Sequence, residues 1–167
     1  MSYGNLAFGL RQIALYDAAG ANKVLLPAAL MLHVTPLLQT ARFEADGRLV
    51  GATAFVAGAE WELEAGGISL EALARLTGDT ATLTGTTPNR VLTMSAAAGD
   101  AMPYVRVYGR ALADVGDVVC RLMRCKLEAL EGTFRTGEFW VTYAKGVAVS
   151  NGTAVYEFAQ AETVAAL

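Results

Sequence analysis

Three carboxylates, Glu60, Glu62 and Glu64, alternate along one short stretch, and theirs is the spacing in this chain that most invites a catalytic reading. Same-face residues two apart in a strand lie roughly 6.5–7 Å apart along the rise, a separation that a glycosidase acid–base pair can use. The arrangement fails on direction, because acid and base must flank a bond from opposite sides and these three stand in one row. The row reads instead as a water-facing strand face, or as an acidic strip lining a channel that repels phosphate. His33 is the only histidine and lies in LMLHVTPL, where a packed or hydrogen-bonded strand residue is a simpler account than a triad base. One histidine with two cysteines, Cys120 and Cys125, makes no zinc set. In a regular strand those two thiols fall on opposite faces and do not pair, which suits a reducing compartment. Tyr104, Arg106, Tyr108 and Arg110 form a second row, of types that stack on bases or fill subunit contacts. Neither a GxxxxGK[ST] loop nor a GxGxxG turn is present. No catalytic set, cofactor site or metal site emerges, and the expectation is a protein that is not an enzyme.

The elements that must carry these rows follow from periodicity. Trp61 and Leu63 face away from the three glutamates, so Leu49 to Ala65 is a half-buried strand. Gly66-Gly67 breaks it, and Ser69 caps a short helix with Leu70, Leu73 and Leu76 on one stripe and Gly78 as its stop. Before it, Ala28 to Glu44 is extended, with Pro36 marking an edge or a bulge. Asp46-Gly47 joins the two runs as a tight turn with positive φ at both positions. The hairpin is long against a usual strand of about five or six residues.

Leu6 to Tyr16 alternates and then shifts phase, which calls for a bulge near Arg11-Gln12. NKVLL begins another extended piece. Thr80 to Gly85 and Arg90 to Ser95 form a second hairpin across Thr-Thr-Pro-Asn. Val105 and Val107 turn inward along Pro103 to Ala111, and Asp117 to Leu130 changes its apolar side near Leu122, again by a bulge. Gly137 to Tyr143 and Gly146 to Ser150 read as two more strands, with Asn151-Gly152 pairing the latter with Ala154 to Phe158. The sum is mainly β: an antiparallel β-sandwich or barrel with one short flanking α-helix.

The chain of 167 residues is most simply one domain, 1–167, with arms at its two ends. Hydrophobic residues make up 54% and charged residues 17%, with a mean hydropathy of +0.37. That is more apolar surface than a small domain usually needs; much of the excess is alanine, which reads either as small-residue filler or, more sharply, as surface that closes against copies of itself. A net charge of -3 without a basic run argues against tight nucleic-acid binding. No apolar run reaches the roughly 18 residues of a membrane span, and the start lacks a secretion-signal pattern, so cytoplasmic synthesis is expected.

Three stretches in order, WELEAGGISLEALARLTG from Trp61, KLEALEGTFRTGEFWVTYAKGVAV from Lys126 and GTAVYEFAQAETVAAL from Gly152, carry a resemblance spread over the whole chain. Through them the chain resembles the major tail tube proteins of long-tailed bacteriophages, relatives in fold of type VI secretion inner tubes. The resemblance implies a structural virion protein whose homo-hexameric rings stack into a hollow tube, assembled in the host cytoplasm and residing in the virion tail. It implies DNA and a tape measure protein held in the lumen without tight binding, tail tip and terminator proteins at the ends, and no membrane insertion. Open sheet edges suit ring closure, with the Ala28 to Ala65 hairpin involved. The tip, Glu44, Ala45, Asp46, Gly47 and Arg48, and the chain ends suit ring stacking. Another tail component such as a terminator is the neighbouring alternative, and a small-ligand or carbohydrate-binding β-sandwich the competing one, which requires a pocket with convergent polar groups.

Overall fold

The computed structural model describes residues 7–99, 101–113 and 116–161. The described elements are β1 (Ala7–Asp17), β2 (Val24–Leu25), β3 (Ala29–Ala45), β4 (Arg48–Gly66), α1 (Leu70–Thr77), β5 (Thr82–Thr84), β6 (Val91–Thr93), β7 (Tyr104–Ala113), β8 (Asp117–Gly132), β9 (Val141–Ala148) and β10 (Tyr156–Ala161). Seven strands pair antiparallel in the order β2-β1-β7-β8-β9-β4-β3, while β10 joins β8 and β5 pairs only with β6. The expected mainly-β, antiparallel architecture with one short helix is what the chain adopts.

The sheet curls on itself. Strands β1 and β3, far apart in the hydrogen-bonded order, come into contact, and Leu32 of β3 stands against Gly109 of β7. The described strands form two layers over a shared core without closing into a barrel. Ile13, Leu15, Trp61, Leu63, Val105, Val107 and Leu122 fill that core, and Ala72 and Leu76 of α1 complete it. Trp61 is fully buried and its ring packs over Gly146, where a Cβ would also collide with the Lys126 carbonyl oxygen. Glycine is required there by space rather than by φ.

Local chemistry sets the breaks. Ser69 accepts a hydrogen bond from the Ala72 N–H at the start of α1, and Gly78 ends it in the left-handed region at φ 87°. Asp46 and Gly47 have φ of 52° and 69°, so the long hairpin turns as its residues demand. Pro36, which lacks an N–H for a ladder, lies in β3 at the border of the sheet, one residue before a bulge between Leu37 and Leu38. The phase shift in β1 is taken up by irregularities between Phe8 and Gln12.

Three expectations need correction. Two strands were expected between Gly137 and Ser150, but β9 runs unbroken from Val141 to Ala148, and residues 133–140 form a loop turning at Arg135–Glu138. Asn151-Gly152 does not make a hairpin either. Its asparagine oxygen accepts from the Thr153 and Ala154 N–H groups within a local turn, and β10 goes on to pair with β8. The reason is occupancy: one edge of β9 is filled by β8 and the other by β4, leaving Asp117–Leu122 of β8 as the open partner. The third concerns the cysteines. Between Leu122 and Cys125 strand β8 holds one residue more than β7 opposite, so register puts Cys120 beside Gly109 and Cys125 beside Val105, both on the core side. The expected arms at 1–6 and 162–167 lie outside the described residues.

Candidate functional site

Beyond Pro36 the β3–β4 hairpin leaves the sheet, with Val56 at its base still beside Ser150 and Thr153–Tyr156. From Pro36 to Ala57 every residue is exposed except Ala45 and Gly51, which are half-buried. At about 3.3 Å per residue the projecting arm is roughly 30 Å long. It carries seven of the sixteen exposed large apolar side chains among the described residues: Leu37, Leu38, Phe43, Leu49, Val50, Phe55 and Val56. Apolar surface is thus concentrated here rather than scattered.

Register divides these side chains between the two faces of the arm. Leu38 opposes Val56 and Arg42 opposes Ala52 on one, while Gln39 opposes Phe55 and Phe43 opposes Gly51 on the other. Both faces are partly greasy, so neither is a conventional solvent face. Phe43 is 64% exposed and Phe55 53%. A lone two-stranded ribbon is marginal in water, and burying each such ring is worth about 2 kcal/mol. The predicted tip, Glu44 to Arg48, sits at the end of this arm. The adjacent apolar pairs Leu37-Leu38, Leu49-Val50 and Phe55-Val56 would have exposed the two-sided pattern in the sequence.

The acidic row lies where expected, on the outer face of β4 with Trp61 and Leu63 buried behind it. Its surroundings were not legible. Glu62 is flanked by His33 of β3 and Lys145 of β9, and Glu64 by Met31 and Tyr143, with Glu131 of β8 one strand further. His33 shares a hydrogen bond of 2.9 Å with Thr35, a bond between neighbours on the same face of β3. The Tyr143 phenol pKa is raised by desolvation and then by Glu62, Glu131 and Glu64, so the carboxylates act on one spot. Among the described residues no His, Cys, Asp and Glu group could hold a metal ion.

On β7 the row Tyr104, Arg106, Tyr108 and Arg110 alternates with buried Val105 and Val107 as predicted. The bulge in β8 brings three more cations to the same side. Arg124 lies 4.1 Å from the centre of the Tyr104 ring and Lys126 4.9 Å, while Arg121 stands over Tyr108 at 5.9 Å. Tyr16 packs against Tyr108 with centroids 4.8 Å apart and the rings tilted by 46°. Arg106 donates to the Ala18 carbonyl, and Lys126 to that of Met102. Carboxylates meet two of the cations: Glu157 bonds Arg121 at 2.6 Å, and buried Asp117 is 3.7 Å from Arg110. Arg121, Arg124 and Lys126 were missed because their side depends on where the extra residue falls.

Other groups offer less. Burial pushes the Cys120 thiol up to about 11 and Cys125 higher still, so neither is an activated nucleophile. A concavity of about 820 Å³ lies between β2 and α1, where Lys23 and Arg75 stand beside Glu71 and Asp79, presenting no single charge to a ligand. No family model matches the chain, and no curated protein matches it either.

Proposed function

We propose that this chain is a structural subunit of a phage tail tube: hexameric rings of it stack into a hollow cylinder through which DNA passes. The single observation that carries a self-assembling role is the arm, a ribbon with exposed Leu38 and Val56 on one face and exposed Phe43 and Phe55 on the other. A ribbon of that kind gains most by lying against protein, and a second copy is the partner always at hand. The sixfold ring and the phage tail come from the resemblance of the three stretches beginning at Trp61, Lys126 and Gly152. On this reading the body closes the ring and the arm, with its Glu44 to Arg48 tip, bridges to the next ring. Tail tip and terminator proteins meet the tube ends, a tape measure protein and DNA occupy the bore without tight binding, and assembly takes place in the host cytoplasm.

Negative-stain electron microscopy of the purified chain tests this directly, with sedimentation velocity alongside. The expected images are rings or hollow filaments that grow with concentration. A monomer that persists at millimolar concentration, or one that binds a carbohydrate in its concavity, would sink the proposal.

A further inference from the structure

The outer face of the curled sheet changes electrical sign from one side to the other. Along β4 and its neighbours Glu60, Glu62, Glu64 and Glu131 stand against Lys145, four carboxylates to one ammonium and a net -3. Across β7 and the first part of β8, the described cations Arg106, Arg110, Arg121, Arg124 and Lys126 outnumber the described carboxylates Asp117 and Glu157. Both lie on the non-core side of one sheet, joined through the row Glu60, Val147, Lys126, Tyr104. Because Leu32 of β3 meets Gly109 of β7 through the core, the outer faces of β3–β4 and of β7 point away from each other.

From this placement we infer that the Tyr104–Arg124 face of one copy docks on the Glu60–Glu64 face of a second, side by side. The inference rests on the assembling role proposed above and names its lateral contact. Charge complementarity selects a second copy: the two patches are opposite in sign, and they sit on different surfaces of the same chain. A contact between two different faces is heterologous, so it repeats around a ring and leaves no face unused if the rotation closes. The glutamate row then meets a neighbour instead of lining the bore. Tyr104 and Tyr108, with Arg124, Lys126 and Arg121 over their rings, give that contact a rigid centre within its charges.

Charge exchange tests the contact. Glu60→Lys with Glu64→Lys makes both faces positive, and Arg121→Glu with Arg124→Glu makes both negative. Each double variant of the full chain should need about tenfold or more of the wild-type concentration to assemble, through like-charge contact. An equimolar mixture of the two should assemble again, because every contact in an alternating row is once more opposite in sign. Circular dichroism melts separate misfolding from lost contact, and the milder Glu60→Gln and Arg124→Gln variants should weaken assembly in the same direction with less salt dependence. Wild-type assembly with unimpaired charge variants, or failure of folded variants to rescue each other, overturns the contact and leaves the tube reading standing. Absence of wild-type assembly removes the tube reading itself. Binding of a single-stranded oligonucleotide that is lost in the Arg121→Glu, Arg124→Glu variant, with its assembly intact, overturns the contact in favour of nucleic acid.

Discussion

Two halves of one hairpin lead different lives. From Ala29 to Pro36 and Ala59 to Gly66, β3 and β4 are part of a layered sheet, with Trp61, Leu63 and Ala65 fully buried and β9 completing the pairing of β4. From Leu37 to Ala57 the same two strands stay paired through two register shifts but lose every other described neighbour in the sheet, and their apolar side chains are exposed. Backbone pairing is common to both halves, so it is not what separates them. Burial is the difference: the first half holds the domain together, and the second is available to something else.

On the proposed assembling role, substitutions should act on folding in one half and on assembly in the other. The largest effect is expected at Trp61, the bulkiest fully buried side chain. Trp61→Ala should cost about 3–5 kcal/mol in urea unfolding of the dispersed monomer. A larger change in the arm, Phe43→Ala with Phe55→Ala, should stay within about 0.5 kcal/mol by the same measurement while abolishing the proposed filaments. Equal losses of stability from both would erase the distinction.

Glycine sharpens it further, because the halves use this residue for different reasons. At Gly146 an added Cβ meets the Lys126 carbonyl and the Trp61 ring. Gly146→Ala should destabilise by about 1–3 kcal/mol or more, since backbone cannot yield as a flexible side chain can. At Gly47 the space around a Cβ is open, and the constraint is φ of 69°. Gly47→Ala should cost about 1 kcal/mol of local turn stability, leave the global unfolding midpoint almost unmoved and still slow polymerisation by loosening the tip. A shift in the midpoint as large as that of Gly146→Ala would mean that the arm belongs to the cooperative core.

Local signals were legible wherever the chemistry was local. Asp46-Gly47, Ser69 and Gly78 each determine their own turn or cap, and the Glu60 to Glu64 alternation needs only one strand. Asn151-Gly152 shows where this stops: the dipeptide does turn the chain, but the edges of β9 are already filled from elsewhere in the sheet. Sequence proximity cannot reveal that competition. The cation face failed for a related reason, since one extra residue near Met123 decides which side Arg121, Arg124 and Lys126 take, and bulge position depends on the partner strand. The acidic strip and the Tyr/Arg row were each visible alone, but their opposition across a curled sheet is a property of the third dimension.

The smallest effect expected is also the sharpest probe of the arm. Gly51 is directly opposite Phe43, has no positive φ, and has open space where a Cβ would stand. In the isolated subunit Gly51→Ala should be neutral or stabilising by a few tenths of a kcal/mol, because alanine restricts the unfolded chain more than glycine does. In the proposed assembly the methyl group would enter the surface that covers the Phe43 face. Unchanged melting with a changed critical concentration would place that face in contact with another copy. If both quantities stay at their wild-type values, the contact belongs to the opposite face, where Leu38 and Val56 lie, and the same measurement on Ala54→Ser should then register it.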